Sequence, residues 1–358
     1  MTVKHWVTPD QELLLRACLL EGGASRGAWA GWIETVDLEN IDYGSYRLLP
    51  LAYRNLLHQG EPPEKIEWLR RIHRGTWAEN QRLFHAAKTV LVALQGVGID
   101  TLVLKGVPLV LSYYKDYGAR PMSDFDLLVR EVDAPGAIAV LTNLGWTPYK
   151  DPQAHAGEYQ KGDFRLDLHW RAIAQCPQEG DEGDFWREAV PVNLLDISCL
   201  TLSSTDQLLH VIVHGLQWSE LPPVRWIADA VVILREAASE IDWERLSEMA
   251  RQRRYLYKLC VALGYVRSVF DAPVPLDALT RMKFLPTTRF ERLEFRLRAH
   301  PPRLWERHLT LWDYLYYVRR VGDPQDFPLS YLNFWLERWS IDRYRQLPLE
   351  ALKRLAGL

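Results

Sequence analysis

Asp124 and Asp126 stand one residue apart in the run Ser123-Asp124-Phe125-Asp126-Leu127-Leu128-Val129, at the mouth of an apolar stretch. In a strand successive side chains alternate faces, so the two carboxylates share one side and Phe125, Leu127 and Val129 the other. Two like charges held side by side repel, and a cation between them relieves the repulsion. A third carboxylate, Asp167, sits in a second one-sided run, in which Phe164, Leu166, Leu168 and Trp170 share one face and Arg165, Asp167 and His169 the other. Three carboxylates on strand faces can hold two divalent cations. Mg²⁺ prefers carboxylate and phosphate oxygens, and two such ions stabilise the attacking and leaving oxygens of an in-line phosphoryl displacement. The carboxylate nearest the acceptor can also help take its proton. The bland reading is that Asp124 caps a turn and Asp126 pairs with Arg120 at a charged strand end.

The elements around these residues alternate in type. Thr101 to Leu104 is a short apolar run with the mark of a buried strand. Lys105-Gly106 ends it, and Val107 to Lys115 reads as a helix. The loop Tyr117 to Met122 leads into the Asp124/Asp126 strand. Asp133 to Leu144 is a helix closed by Gly145, and Trp146 to Tyr149 is a further short strand. Glu158 to Lys161 and Phe164 to Trp170 flank the turn Gly162-Asp163, the pattern of a hairpin. Residues 101–170 thus form a β-α-β-α-β-β unit.

Helices flank it on both sides. Thr8-Pro9 before Asp10 to Glu21 offers a cap, a proline in the first turn and early acidic residues. Ala24 to Val36, Tyr43 to His58 and a long stretch from Glu64 to Gln95 follow. After Thr205 the expected helices are Asp206 to Trp218, Pro222 to Glu236, Asp242 to Arg253, Leu256 to Phe270, Pro275 to Met282 and Arg289 to Ala299. Pro302 to Val321, Leu329 to Arg345 and Glu350 to Leu355 complete the series.

Leu104-Lys105-Gly106, then Arg120-Pro121-Met122-Ser123-Asp124-Phe125-Asp126-Leu127-Leu128-Val129, then Leu166-Asp167-Leu168-His169-Trp170, resembles the bacterial uncharacterised nucleotidyltransferase family. That family belongs to the DNA-polymerase-β-type nucleotidyltransferase superfamily. The resemblance extends over most of the chain. It implies an α+β fold: a small mixed sheet of nucleotidyltransferase type at residues 97–200, between an N-terminal helical region at 1–96 and a C-terminal one at 201–358. It implies Mg²⁺-dependent transfer of a nucleoside monophosphate from an NTP, ATP among the candidates, to an acceptor hydroxyl, with release of pyrophosphate. Carried over, Asp124, Asp126 and Asp167 are the ligands of two Mg²⁺ ions and the catalytic carboxylates. Gly106 is the turn glycine whose backbone approaches the phosphates. Val107 follows Gly106 where the superfamily usually has Ser, so Lys105, Arg120 and Ser123 are expected to supply the remaining triphosphate contacts. A protein, an RNA end or a small molecule all fit as acceptor.

Two rivals stand beside this reading. One is a nucleotidyltransferase-fold binding module without turnover, which the Val107 departure favours. The other is a metal-dependent phosphohydrolase built on His210 and His214, one helical turn apart; the sequence lacks the H-E-x-x-H pattern and an HD dipeptide. Arg225 and Asp229, also one turn apart, read as an intrahelical pair or as lining of a cleft.

Composition bounds the rest. The chain has 358 residues, 48% hydrophobic and 25% charged, enough for a sizeable core in two or three packed units. A net charge of −3 gives no global attraction to nucleic acid. The four cysteines are scattered with no C-x-x-C pair, which suggests neither a zinc site nor a disulfide framework and points to a reducing cytoplasm. Lys4, Asp10, Glu12 and Arg16 leave no signal-peptide core in residues 1–20, and no window approaches the roughly 18 apolar residues of a membrane span.

Overall fold

The computed structural model describes residues 7–150, 156–173, 182–216, 224–298, 332–336, 341 and 343–350. The helix expected over Pro302 to Val321 lies outside the described residues; of that expected at Leu329 to Arg345, residues 332–336, 341 and 343–345 are described, and of Glu350 to Leu355 only Glu350.

Helix α1 (Pro9–Leu19) starts as Thr8-Pro9 predicts. The Thr8 hydroxyl accepts from the Gln11 amide at 3.2 Å, and the Gln11 side chain accepts from the Thr8 amide at 3.0 Å. Helix α2 (Gly22–Thr35) follows. The expected helix from Tyr43 to His58 is two, α3 (Tyr43–Tyr46) and α4 (Leu49–His58), separated by Arg47 and Leu48. Pro50 has no amide hydrogen, so it fits only the first turn of a new helix. Helix α5 (Glu67–Gly96) is continuous over 30 residues.

Seven strands form one mixed sheet: β1 (Leu102–Leu104), β2 (Phe125–Leu128), β3 (Thr147–Pro148), β4 (Ala156–Lys161), β5 (Phe164–His169), β6 (Val190–Leu194) and β7 (Ile197–Thr201). Their order is β3-β4-β5-β2-β1-β7-β6. β1 runs antiparallel to β2, and β2 runs parallel to β5. The β4–β5 hairpin has the predicted turn. The β6–β7 hairpin is an addition that the sequence pattern did not reveal; β7 docks parallel to β1 and widens the sheet beyond the β-α-β-α-β-β unit.

Between β1 and β2 the chain makes one turn, α6 (Gly106–Pro108), and then a π-helical stretch over Leu109–Tyr114 where a single regular helix was expected. α7 (Ala134–Asn143) closes at Gly145, whose φ of +80° is the left-handed geometry glycine accepts without strain. After α8 (Gly183–Arg187) come α9 (Ser204–Gly215), α10 (Arg225–Glu236), α11 (Trp243–Gln252), α12 (Leu256–Phe270), α13 (Leu276–Phe284) and α14 (Arg289–Arg298).

The sheet divides the core in two. Val103, Phe125, Leu127, Leu166 and Leu168 pack in one apolar cluster with Phe84, Leu91 and Leu94 of α5 and Ala137 and Leu141 of α7. Leu102, Leu104 and Leu128 point the other way, into a cluster built from α1, α4, α9, α10 and α12. Alternation then puts Asp126 and Asp167 on this second face, under the helical regions.

Candidate active site

The parallel pairing of β2 with β5 sets Asp126 directly opposite Asp167, and Leu128 opposite His169. β1 ends beside them, with Leu104 opposite Asp126, so the next residue, Lys105, reaches across. Lys105 holds a positive φ of +51°, an uncommon conformation for a side-chain-bearing residue. Its ammonium donates to Asp126 Oδ1. His169 Nε2 lies 3.0 Å from the same oxygen and 3.5 Å from Lys105 Nζ. Asp126 is 3% exposed, so both partners act on a carboxylate almost out of water.

Ligand atoms of Asp126, Asp167 and His169 lie within 4.8 Å of one another, close enough to share one metal ion. The expected trio was Asp124, Asp126 and Asp167. Asp124, just before β2, lines the same cavity but is not in that tight group, and His169 is. Two carboxylates are hard oxygen donors of the kind Mg²⁺ takes. Lys105 already pairs with one of them, Asp126.

The charges separate the carboxylates chemically. Burial pushes Asp126 up, but the Lys105 ammonium and the His169 hydrogen bond outweigh it and hold it well below the usual carboxylate range. Asp167 has no hydrogen-bond partner among the described residues; burial and the neighbouring Asp126 charge outweigh Lys105 and push it up to about 7. Asp124 is also raised, by burial and then by Asp126. His169 is held below its ordinary value by burial and by Lys105, so it is neutral at pH 7 and donates from Nε2 to Asp126. Two acidic groups with opposed shifts at one site are a common mark of proton-transfer chemistry.

The carboxylates open into a cavity of about 610 Å³, within the size range of small-molecule sites. Lys105, Gly106, Arg120 and Ser123 all line it. Gly106 is closely covered: a Cβ there would lie 2.6 Å from Met122 Sδ and 3.0 Å from Arg120 Nη1. Arg120 is 4% exposed and committed to Asp229, with Nε to Oδ1 at 2.8 Å and Nη2 to Oδ2 at 2.9 Å. Its partner is therefore Asp229 and not Asp126. Tyr114 also donates to Asp229, at 2.8 Å. Ser123 is exposed at the rim. Val107 does not line the cavity; its side chain is fully buried in the cluster under α5 and α7.

The helical regions bring one residue that the sequence did not single out. Arg47, from the break between α3 and α4, has no neighbour in sequence that marks it as functional, yet it lines the cavity. Arg225 and Asp229 of α10 line it as well, and their own contact is a loose 4.0 Å. His210 and His214 of α9 reach the wall, but His210 Nε2 is 3.1 Å from the Ala172 carbonyl and the two rings lie 6.1 Å apart. Among the described residues neither belongs to a cluster able to share a metal ion.

A family model described as "uncharacterised nucleotidyltransferase" matches residues 45–271. No curated protein matches the chain. Similar solved structures include the antibiotic-resistance factor ANT(2'')-Ia in solution, at 16% identity and a TM-score of 0.37, covering 53% of this chain and 98% of that one. The crystal structure of ANT(2'')-Ia with adenylyl-2''-tobramycin gives 16% identity and a TM-score of 0.34, covering 46% and 93%. An antigenic nucleotidyltransferase-like protein from Paracoccidioides brasiliensis gives 14% and 0.37, covering 56% and 96%.

Proposed function

The chain belongs to the uncharacterised nucleotidyltransferase family, and on that premise we propose that it moves a nucleoside monophosphate from an NTP to an acceptor hydroxyl, with release of pyrophosphate. The observation that carries this reading is the register that sets Asp126 against Asp167 beside Lys105, at the floor of a cavity sized for a nucleotide.

In this reading Asp126, Asp167 and Asp124 hold Mg²⁺, with His169 fixing the Asp126 carboxylate. Bound Mg²⁺ supplies charge neutralisation to the phosphates and to the developing oxyanions. Asp167 takes the acceptor proton on a carboxylate oxygen. The acceptor oxygen forms its bond to the α-phosphorus as the bridging oxygen to the β-phosphorus departs with its electron pair on pyrophosphate. Lys105 and Ser123 hold the triphosphate at the Gly106 turn. Arg120 serves that turn mainly by fixing it, since its guanidinium is already paired with Asp229. We retain the division at residues 97 and 200 as the extent of the catalytic unit.

Calorimetry with each NTP, with and without Mg²⁺, tests the reading. NTP binding strengthened by Mg²⁺ and followed by turnover supports it. Mg²⁺-dependent binding with no turnover for any acceptor supplied identifies a binding module instead. The phosphohydrolase alternative gains nothing from the geometry of His210.

A further inference from the structure

Charge is unevenly distributed around the cavity. At the floor, Lys105 faces three carboxylates, Asp124, Asp126 and Asp167. Beside them three guanidiniums, Arg47, Arg120 and Arg225, gather around Asp229 and also act on Asp124. Arg120 satisfies Asp229 with two hydrogen bonds and Tyr114 adds a third. Arg47 and Arg225 are left without an ion pair closer than 4.0 Å among the described residues.

Neither is an ordinary solvated arginine. Arg225 is 21% exposed and donates from Nη1 to the Pro121 carbonyl at 2.7 Å, while its Nε remains 4.0 Å from Asp229. Burial, then the neighbouring Arg120 and Arg47, push it down to about 9. Arg47 is half-buried over the Tyr43 ring at 5.2 Å and makes no ion pair among the described residues. Burial lowers it too. Crowding three cations around Asp229, which Arg120 already satisfies, with only Asp124 besides, is costly unless a further anion joins them. A polyphosphate is the anion that fits: its oxygens accept the forked, bidentate hydrogen bonds a guanidinium offers.

We propose that Arg47 and Arg225 are the polyphosphate-binding residues of this cavity, one from each helical region. This rests on reading the cavity as an NTP site. It assigns the grip on the phosphate tail to the helical wall, and explains how Val107 can be a core residue with no hydroxyl to offer. It also gives the helical regions a task in substrate selection: the cavity selects a long anionic tail, so an NTP is held better than the corresponding nucleoside monophosphate.

The test is calorimetric titration of inorganic tripolyphosphate and of ATP into wild type, Arg47→Gln, Arg225→Gln and Asp126→Asn, without and with Mg²⁺. Thermal melting of each variant accompanies it. Each arginine variant is expected to bind metal-free tripolyphosphate about ten-fold or more weakly. Asp126→Asn, which removes a negative charge and frees Lys105, is expected to bind metal-free tripolyphosphate at least as tightly as wild type. Arg47→Gln guards against a folding artefact, because Arg47 carries no hydrogen bond comparable to that of Arg225 to Pro121. Wild-type tripolyphosphate affinity in both arginine variants overturns the proposal while leaving nucleotidyl transfer intact. Arginine-dependent tripolyphosphate binding by a protein that transfers no nucleotide keeps the anion wall and removes the NTP reading.

Discussion

Asp167 carries the pH dependence of the site. Its proton is held more tightly in the folded state than in the unfolded chain, because burial and the Asp126 charge oppose ionisation. For an acid raised in this way the folded state binds more protons than the unfolded one between about 4 and about 7. Stability from this group is therefore full at low pH and declines as pH rises through that window. Asp126 has the opposite sign: its contribution is present at neutral pH and is lost as pH falls below the ordinary carboxylate range. A divalent ion competes with the Asp167 proton. Mg²⁺ affinity, read by calorimetry, should accordingly rise as pH passes 7, and Asp167→Asn should weaken it and flatten the dependence. Val107 gives a second residue-scale prediction. Because its side chain is enclosed in the apolar cluster, Val107→Ser should lower the unfolding free energy by about 1–3 kcal/mol in chemical denaturation. It should not strengthen NTP binding. The carboxylates were legible from alternation alone, since spacing by two fixes the face. The roles of His169 and Arg120 were not, because a hydrogen-bond partner is set by tertiary contact: Asp126 lies 43 residues from His169 and Asp229 lies 109 from Arg120.

Elements show the same division between local and distant causes. β1, β2, β4 and β5 could be read because each presents an apolar face with turn residues at its ends. β6 escaped reading because Pro191 interrupts a short run, and β6 is an edge strand, where a proline is tolerated. The π-helical stretch Leu109–Tyr114 is largely apolar and carries no periodic signal for its wider turn. Within this framework the Arg120–Asp229 pair ties the loop before β2 to α10. Both side chains are about 5% exposed. Removing one partner leaves a buried charge, so Arg120→Ala or Asp229→Ala should each cost about 3–5 kcal/mol. Replacing both, Arg120→Met with Asp229→Leu, should cost much less than the sum of the single changes. Urea titrations of the four proteins measure this, and full additivity would show that the two charges do not depend on each other.

Over the whole molecule, the sheet region contributes Lys105, Arg120 and three carboxylates to the cavity, and the helical regions contribute Arg47, Arg225 and Asp229. Four cationic and four carboxylate side chains line one cavity, but the carboxylates Asp124, Asp126 and Asp167 lie on the sheet side and Arg47 and Arg225 on the helical side. Under the proposed function, metal ions would answer the carboxylates and the phosphate tail would answer the arginines. Arg225 was legible as candidate cleft lining from its one-turn spacing to Asp229, but Arg47 was not, because it is distant in sequence and only tertiary contact brings the two together. The family match from 45 to 271 begins just before Arg47 and extends past α10, so it takes in both walls of the cavity as well as the sheet. The central claim is that these carboxylates drive nucleotidyl transfer. The most direct measurement incubates wild type and Asp126→Asn with Mg²⁺, cell extract and NTPs labelled at the α-phosphate, and looks for label on an acceptor. The account predicts a labelled product with wild type and a loss of at least about a hundred-fold with Asp126→Asn. Label transfer undiminished in Asp126→Asn, or none from wild type with any NTP, would contradict it.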